Sequence, residues 1–395
     1  MADVVLIGVD GGASKVLAHR VDILEDPLRF APVEPIVEVS YDDSERYQSG
    51  FRPHPLADQL AEHRAGDVHQ LEDETRQESA FLDSFCRVVS GVCAPEGDRP
   101  VVIGIGLPGL KTPDRRGISA MANGPRMPRF LDKLESMLAE QGYSTLQSIH
   151  ALGSDADYCG VGEHWGAAGA MRDVSNAYYL GIGTGVADAL LLGGEPVPFD
   201  ATRDWMAKTW EIMFSDDRSY EAMISAQGIQ RRYGDQMGLS LDALNNHGVF
   251  PWQIFERAVS GEEVARSITG ETCEALAQLV LHRIVTLARG FGGARLVDSN
   301  RRLSSEHPYI GQVFDRIIIG QRLGDIWQNP DFLPVFSTPV QQRLIQLLQA
   351  SDLASEIKKH YLRANERLRS GLIVHSELRN APALGAAVDA YFNRA

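Results

Sequence analysis

The sequence predicts an α/β protein of two lobes, and three observations predict it. Apolar strand-like runs alternate with helical patterns along the whole chain. Two of those runs break into glycine-rich turns, Asp10-Gly11-Gly12-Ala13-Ser14-Lys15 and Gly181-Ile182-Gly183-Thr184-Gly185, each followed at once by another apolar run. Between them an acidic cluster, Ser154-Asp155-Ala156-Asp157, ends an apolar run and opens a small-residue helix.

The elements follow in order. Residues 4–9 form a first apolar strand and residues 16–22 a second. A short third strand over 35–40 is indicated by Ile36-Val37-Glu38-Val39, rich in β-branched residues. From 41 to 77 the composition shifts to Asp, Glu, Arg, His and Gln, which reads as a solvated insertion. It is either a surface loop or an active-site lid, with room for a short helix. Residues 79–92 have helical spacing, 100–106 a buried strand, and 130–141 a helix at the lobe junction. Strands then fall at 176–180 and 187–192. The longest helix covers 262–289, with Leu276, Leu279, Val280 and Ile284 on one face. Strands at 316–319 and 371–375 and a helix at 383–392 complete the chain, and no sequence repeat or low-complexity tract appears. The expected lobes are residues 1–150, carrying the 41–77 insertion, and 151–395. The final helix, 383–393, is a candidate to pack back on the N-terminal lobe.

Composition narrows the function class. The chain has 395 residues and is 44% hydrophobic, enough for one full core and room for two. A net charge of −15 argues against nucleic acid as a partner, since phosphate binding on that scale needs a basic face. Four widely spaced cysteines suggest a reducing compartment and no disulfide framework. The N-terminus enters a strand directly, with neither a basic leader nor a long apolar span. The expectation is therefore a cytoplasmic protein with no membrane partner.

Two such glycine turns suit phosphate chemistry. Glycines let the backbone approach an oxygen closely and take up φ > 0, so that successive N–H groups converge on it. A Ser14 or Thr184 hydroxyl adds a donor, and Asp10 can hold Mg²⁺ beside the phosphates. A strand–Gly–Gly–strand hairpin can also be only a hairpin. Two of them, with an acid between, point to a nucleotide site.

The chain resembles the ROK family of sugar kinases and related proteins, within the actin-like ATPase (ribonuclease H-like) superfamily. Asp10-Gly11-Gly12-Ala13-Ser14-Lys15 is similar to that family's first phosphate motif, Asp-x-Gly-Gly-Thr-Lys, and Gly104-Ile105-Gly106-Leu107-Pro108-Gly109 to its Gly-x-Gly-x-Pro-Gly turn. Ser154-Asp155-Ala156-Asp157 corresponds to Asn-Asp-Ala-Asn, and residues 180–186 to the second phosphate motif. Tyr220-Glu221-Ala222 with Ser225 resembles the Glu-Ala-x-x-Ser helix start, and Ile317-Ile318-Ile319-Gly320 the strand and turn that hold adenosine. Ser376-Glu377-Leu378 and Ala383-Leu384-Gly385-Ala386-Ala387 resemble the C-terminal turn and closing helix.

The resemblance implies a two-lobed fold with the active site in the interlobe cleft. It also implies a kinase that moves the γ-phosphate of MgATP to a hydroxyl of a monosaccharide or sugar-like substrate. Asp155 is the implied general base. Asp10, Gly11, Gly12, Ser14, Lys15, Gly183, Thr184, Gly185, Gly320 and Gln321 are implied at the nucleotide, with Asp10 beside Mg²⁺. Asn123, Ser154, Asp155 and Glu221 are implied at the substrate, and a homodimer is implied as a common assembly. Residue chemistry leaves alternatives open. Asp155 also suits a helix N-cap, a role Ser154 or Asp157 could take instead. Lys15 suits a solvated hairpin, Glu221 a first-turn helix acid, and His247 a turn.

The departures concern the substrate side. No cysteine lies where most ROK kinases carry zinc, and no compact His/Cys cluster exists, so a structural zinc site is not expected. The Gly-Glu-x-Gly-His clamp is replaced by Phe199-Asp200-Ala201-Thr202-Arg203-Asp204-Trp205, followed by Lys208 and Trp210, which could wall a pocket or pack the core. Gln321 stands where a second glycine is usual. Two other readings stay open: a non-catalytic sugar-sensing protein, and the N-acetylglucosamine kinase and BadF-type ATPase branch, whose opening Val9-Asp10-Gly11-Gly12 also resembles. The Pro108-Gly109 turn and the Gly183-Thr184-Gly185 context favour ROK.

Overall fold

A computed structural model describes residues 4–93, 99–143, 145–363 and 367–394. The chain divides into two compact units: Met1–Gly169 with Asn380–Ala395, and Ala170–Arg379.

The first unit is built on β1 (Val5–Gly11), β2 (Lys15–Glu25), β3 (Leu28–Ser40), β4 (Val101–Leu107) and β7 (Leu152–Ser154). They lie in the order β3-β2-β1-β4-β7, antiparallel across the two hairpins and parallel from β1 to β4 to β7. A two-stranded β5 (Leu110–Lys111) and β6 (Ile118–Ala120) stands apart. The helices are α1 (Leu56–Ala65), α2 (Glu72–Cys93), α3 (Phe130–Glu140), α4 (Asp155–Trp165) and the C-terminal helix Ala381–Phe392. Because β7 and α4 belong here, this unit runs about twenty residues past the division expected at 150.

Gly8 and Gly104, neighbours across β1 and β4, show why the C-terminal helix lies so close. A Cβ on either would meet a helix carbonyl oxygen, Ala383 O at 1.9 Å or Ala386 O at 1.8 Å. The helix is mostly Ala and Gly on its buried side, so its backbone rests directly on the strands.

The 41–77 segment is mostly exposed, as expected of an insertion, but it is pinned at five buried residues, Tyr41, Ser44, Gln59, Glu74 and Gln77. Tyr41 is buried and stacks on Phe81, with centroids 3.8 Å apart. α1 is docked by Gln59, fully buried, which donates from Nε2 to Met121 O (3.2 Å) and accepts from Met121 N–H at 2.7 Å. His63 Nδ1 lies 2.8 Å from Ser119 Oγ. Arg126, also fully buried, makes a two-pronged pair with Glu74 at 2.8 and 2.6 Å and reaches Glu62. Burial raises the Glu74 carboxyl, but the Arg126 bonds outweigh it and hold it below the usual range. Composition does not reveal that a few of these polar groups are buried and satisfied by partners distant in sequence.

The second unit repeats the strand plan. β8 (Ala177–Ile182), β9 (Val186–Leu192), β10 (Glu195–Val197), β11 (Arg316–Gly320) and β12 (Ile373–His375) lie in the order β10-β9-β8-β11-β12. Pairing is again antiparallel in the hairpins and parallel from β8 to β11 to β12. Helices α5 (Tyr220–Ile224), α6 (Ala226–Met237), α7 (Leu241–Asn246), α8 (Pro251–Ser260), α9 (Glu263–Arg289), α10 (Gln321–Gln328), α11 (Ser337–Ala350) and α12 (Ser355–Tyr361) surround a core centred on α9. No described helix is long and apolar enough to cross a membrane.

Candidate functional site

In the first unit, register gathers the acids. Asp10 pairs with Gly106 and Gly106 with Gly153, so β1, β4 and β7 end side by side, about 4.8 Å apart. Asp155 follows two residues after Gly153, at the first position of α4. The carboxyl ends of parallel strands are where α/β sheets bind ligands. Asp10 is largely enclosed, and its carboxyl is pushed up to about 7 by burial first and the Asp155 charge second, against the opposing charge of Lys15.

Ser154 resolves the capping alternative. It is the N-cap of α4, accepting from Asp157 N–H at 3.4 Å, so that task is not Asp155's. α4 is seated by Tyr158, whose ring fills the space above Gly153, where a Cβ would lie 1.9 Å from Tyr158 Cζ. Its hydroxyl donates to Asp389 Oδ2 on the C-terminal helix at 2.7 Å. Burial and the Asp389 charge push that phenol well above its usual range.

The Gly11–Ser14 turn closes through Gly12 N–H donating to Lys15 O at 2.8 Å, with Tyr41 Oη donating to Gly12 O at 3.1 Å. Ser14 is exposed at its tip. Lys15 Nζ pairs with Glu38 at 2.6 Å on the surface, both groups about half exposed. Asn123 is exposed in the turn after β6, beside the brace that Arg126 and Gln59 provide.

In the second unit, the turn between β8 and β9 occupies the place that the Gly11–Ser14 turn holds in the first. Gly183 N–H donates to Gly185 O at 3.0 Å, and Ala226 N–H to Gly183 O at 2.8 Å, which docks the turn on the start of α6. Ser225 caps that helix through Gly228 N–H. Glu221 accepts from Val186 N–H at 2.9 Å, spending one carboxylate oxygen on the turn itself. Burial raises its carboxyl, that N–H opposes the shift, and Asp188 adds to it. Thr184 and Gly185 are exposed.

Neither turn uses left-handed backbone at its glycines, contrary to the expectation of φ > 0. The requirement is room. A Cβ on Gly11 would lie 2.4 Å from Leu107 Cδ2, and one on Gly183 would lie 2.3 Å from Gln321 Oε1. Gln321 itself carries the left-handed conformation, φ 59, at the position where a second glycine is usual. Its side chain lies against Gly181 and Gly183, which brings the Gly320-Gln321 turn and the Gly183–Gly185 turn together.

Residue reading missed a buried network behind this turn. Arg283, fully buried on α9, donates to Asp188 Oδ1 at 3.0 Å, Tyr178 Oη at 2.9 Å and Ala207 O at 2.6 Å. Tyr178 donates to Asp188 Oδ1 at 2.5 Å, and Thr209 donates to both Asp188 oxygens, at 2.6 and 2.9 Å. The signal was present: a lone Asp inside the apolar run of β9 and a lone Arg on the buried side of α9.

The 199–210 segment is held by ion pairs and rings. Glu211 takes Arg203 and, at 2.5 Å, Arg301, and accepts from Lys208 N–H at 2.7 Å. Trp205 stacks on His307 with centroids 3.9 Å apart and is buried, whereas Trp210 is 44% exposed. Lys208 lies 5.7 Å from the Phe199 ring centre. Among the described residues no group of three or more His, Cys, Asp or Glu could hold a metal ion. His247 closes α7 with Nδ1 2.6 Å from Ala243 O, a turn residue.

No family model matches this chain, and no curated protein matches it in sequence. Solved structures match it in fold. A ROK family glucokinase from Streptomyces griseus, in complex with glucose and AMPPNP, is 17% identical with TM-score 0.58, covering 98% of this chain and 100% of the other. A ROK hexokinase from Thermus thermophilus is 14% identical with TM-score 0.56, covering 98% of each. A ROK family transcriptional regulator, a homolog of the E. coli MLC protein, is 12% identical with TM-score 0.57, covering 98% of this chain and 78% of the other. The chain has the α/β fold that these ROK sugar kinases and the regulator share.

Proposed function

We propose that this protein is a ROK-type kinase that transfers the γ-phosphate of MgATP to a hydroxyl of a monosaccharide or sugar-like substrate. The observation that carries the reading is the acid pair at the ends of β1 and β7, with Asp10 enclosed and raised to about 7 beside Asp155. An enclosed carboxylate facing a second negative charge, with only Lys15 opposing, fits a site built for a cation. Asp10 would hold Mg²⁺, which when bound neutralises phosphate charge.

Asp155, released from capping by Ser154, accepts the substrate hydroxyl proton. That oxygen bonds to the γ-phosphorus as the β–γ bridging P–O bond breaks and ADP leaves with the bridging oxygen. The turn at Gly11, Gly12 and Ser14 and the turn at Gly183, Thr184 and Gly185 present donors to phosphate, and Gly320 and Gln321 border the nucleoside. Lys15 acts at a distance, through its charge on Asp10. Asn123, Ser154 and Glu221 serve the acceptor side, Glu221 chiefly by bracing the turn at Val186.

Two observations favour a second reading, a sugar sensor without turnover. The clamp segment is rebuilt around Glu211 and Trp205, and a regulator shares the fold. ADP release measured with MgATP over hexoses, amino sugars, N-acetyl sugars and cyclitols decides between them. Turnover on one class supports the kinase. Stabilisation by a sugar with no ADP release on any of them supports the sensor.

A further inference from the structure

The second unit contains a cavity of about 310 Å³ lined by Phe250, Pro251 and Trp252 at the start of α8, and by Arg322, Asp325 and Ile326 on α10. Its position is informative. α10 begins at the carboxyl end of the parallel strand β11, and Gln321, which lies against Gly183 of the phosphate turn, is followed directly by Arg322. A cavity with aromatic walls that begins one residue after Gln321, beside the Gly183–Gly185 turn, matches the layout of a nucleotide, a base joined to phosphates through one sugar.

The lining says what kind of base. Phe250 is 41% exposed, and Trp252 is held edge-on by Phe332, with centroids 4.8 Å apart at 79°. Together with the exposed Arg322 guanidinium they offer planar surfaces for stacking. Asp325 is the one acidic group. Its side chain is 44% exposed, and its partner Arg379 stands 3.6 Å away, beyond hydrogen-bond range. A carboxylate only accepts hydrogen bonds. Guanine presents two donors on one edge, N1–H and N2–H, and can meet both oxygens of a carboxylate. Adenine presents its N6 amino donor beside an N1 lone pair that a carboxylate repels.

We propose that this cavity is a purine slot in which Asp325 reads the base, so that guanosine triphosphate binds at least as tightly as ATP. The inference rests on the kinase reading for the phosphate end of the nucleotide. The test is calorimetric binding of GTP, ATP and ITP with Mg²⁺ to the full chain, to Asp325→Asn and to Phe250→Ala, with no acceptor sugar present. The expected result is GTP at or above ATP in affinity, ITP weaker than GTP for want of the amino group, and a GTP-to-ATP affinity ratio that falls about tenfold or more in Asp325→Asn. Phe250→Ala should weaken all three nucleotides alike. ATP tighter than GTP in the wild type, or a ratio unmoved by Asp325→Asn, overturns the proposal. Because binding is read without turnover, the slot can fail while kinase activity stands, and base-selective binding without phosphoryl transfer would support the slot and sink the kinase.

Discussion

The two units share one strand plan and load it differently. In each, a hairpin turn follows the first central strand, two antiparallel strands lie to one side, and two parallel strands lie to the other. The first unit sets carboxylates at its strand ends, Asp10 among the last residues of β1 and Asp155 directly after β7. The second sets backbone there instead, with Gly183, Thr184 and Gly185 after β8 and Gly320 at the end of β11. On the proposed function, one skeleton would supply proton and cation chemistry in one copy and phosphate-facing backbone in the other.

The units also differ in what supports the turn. Behind the second lies the closed network of Arg283, Asp188, Tyr178 and Thr209. Arg283→Met leaves the buried Asp188 without its ion-pair partner, and should destabilise the protein by about 3–5 kcal/mol in denaturant titration. A loss below 1 kcal/mol would mean that solvent reaches Asp188.

A strand glycine of the first unit and a turn glycine of the second should fail in different ways. Gly104→Ala drives a methyl into the backbone carbonyl of Ala386, which cannot rotate away, and should cost about 1–3 kcal/mol or more of stability. Gly183→Ala meets only the tip of Gln321, so the chain should fold with near-normal Tm and lose nucleotide affinity instead. Equal effects on stability would erase the distinction.

The raised Asp10 carboxyl makes the first unit sensitive to pH. Unfolded, the group titrates near 3.8; folded, near 7. Between those values the folded chain holds the proton more tightly, so this contribution to stability is full below 3.8, falls as pH rises, and is gone above about 7. Asp10→Asn should therefore raise Tm relative to wild type more at pH 8 than at pH 5 while abolishing turnover. A pH-independent difference would contradict the assigned burial.

The smallest effect belongs to the left-handed Gln321. Gln321→Gly should stay within about 1 kcal/mol of wild type, since relief of strain and added unfolded-state freedom offset each other. A β-branched Gln321→Val should be worse by about 1–3 kcal/mol.

Much of this was legible in the residues. The apolar runs ending in Asp10-Gly11-Gly12 and Gly181–Gly185, and the long apolar face of α9, lie where periodicity places them. What escaped was whatever depends on partners distant in sequence. The polar 41–77 segment hides Gln59 and Glu74, whose partners Met121 and Arg126 lie more than fifty residues on. The shared strand order is a repeat of topology without repeat of sequence, invisible to residue matching. Gln321 adopts a left-handed backbone that ordinarily favours glycine, and only its backbone angle reveals this.

The central claim is that Asp155 takes the acceptor's proton, and one measurement bears on it most directly. Steady-state ADP release by wild type and Asp155→Asn, on whichever sugar turns over, should show kcat lowered by about 10²–10⁴-fold. Calorimetric affinity for MgATP should stay within about threefold, because Asp155 is not asked to bind nucleotide. Wild-type kcat in a variant that still binds MgATP would contradict the account, leaving Asp155 a first-turn helix acid and the chemistry elsewhere.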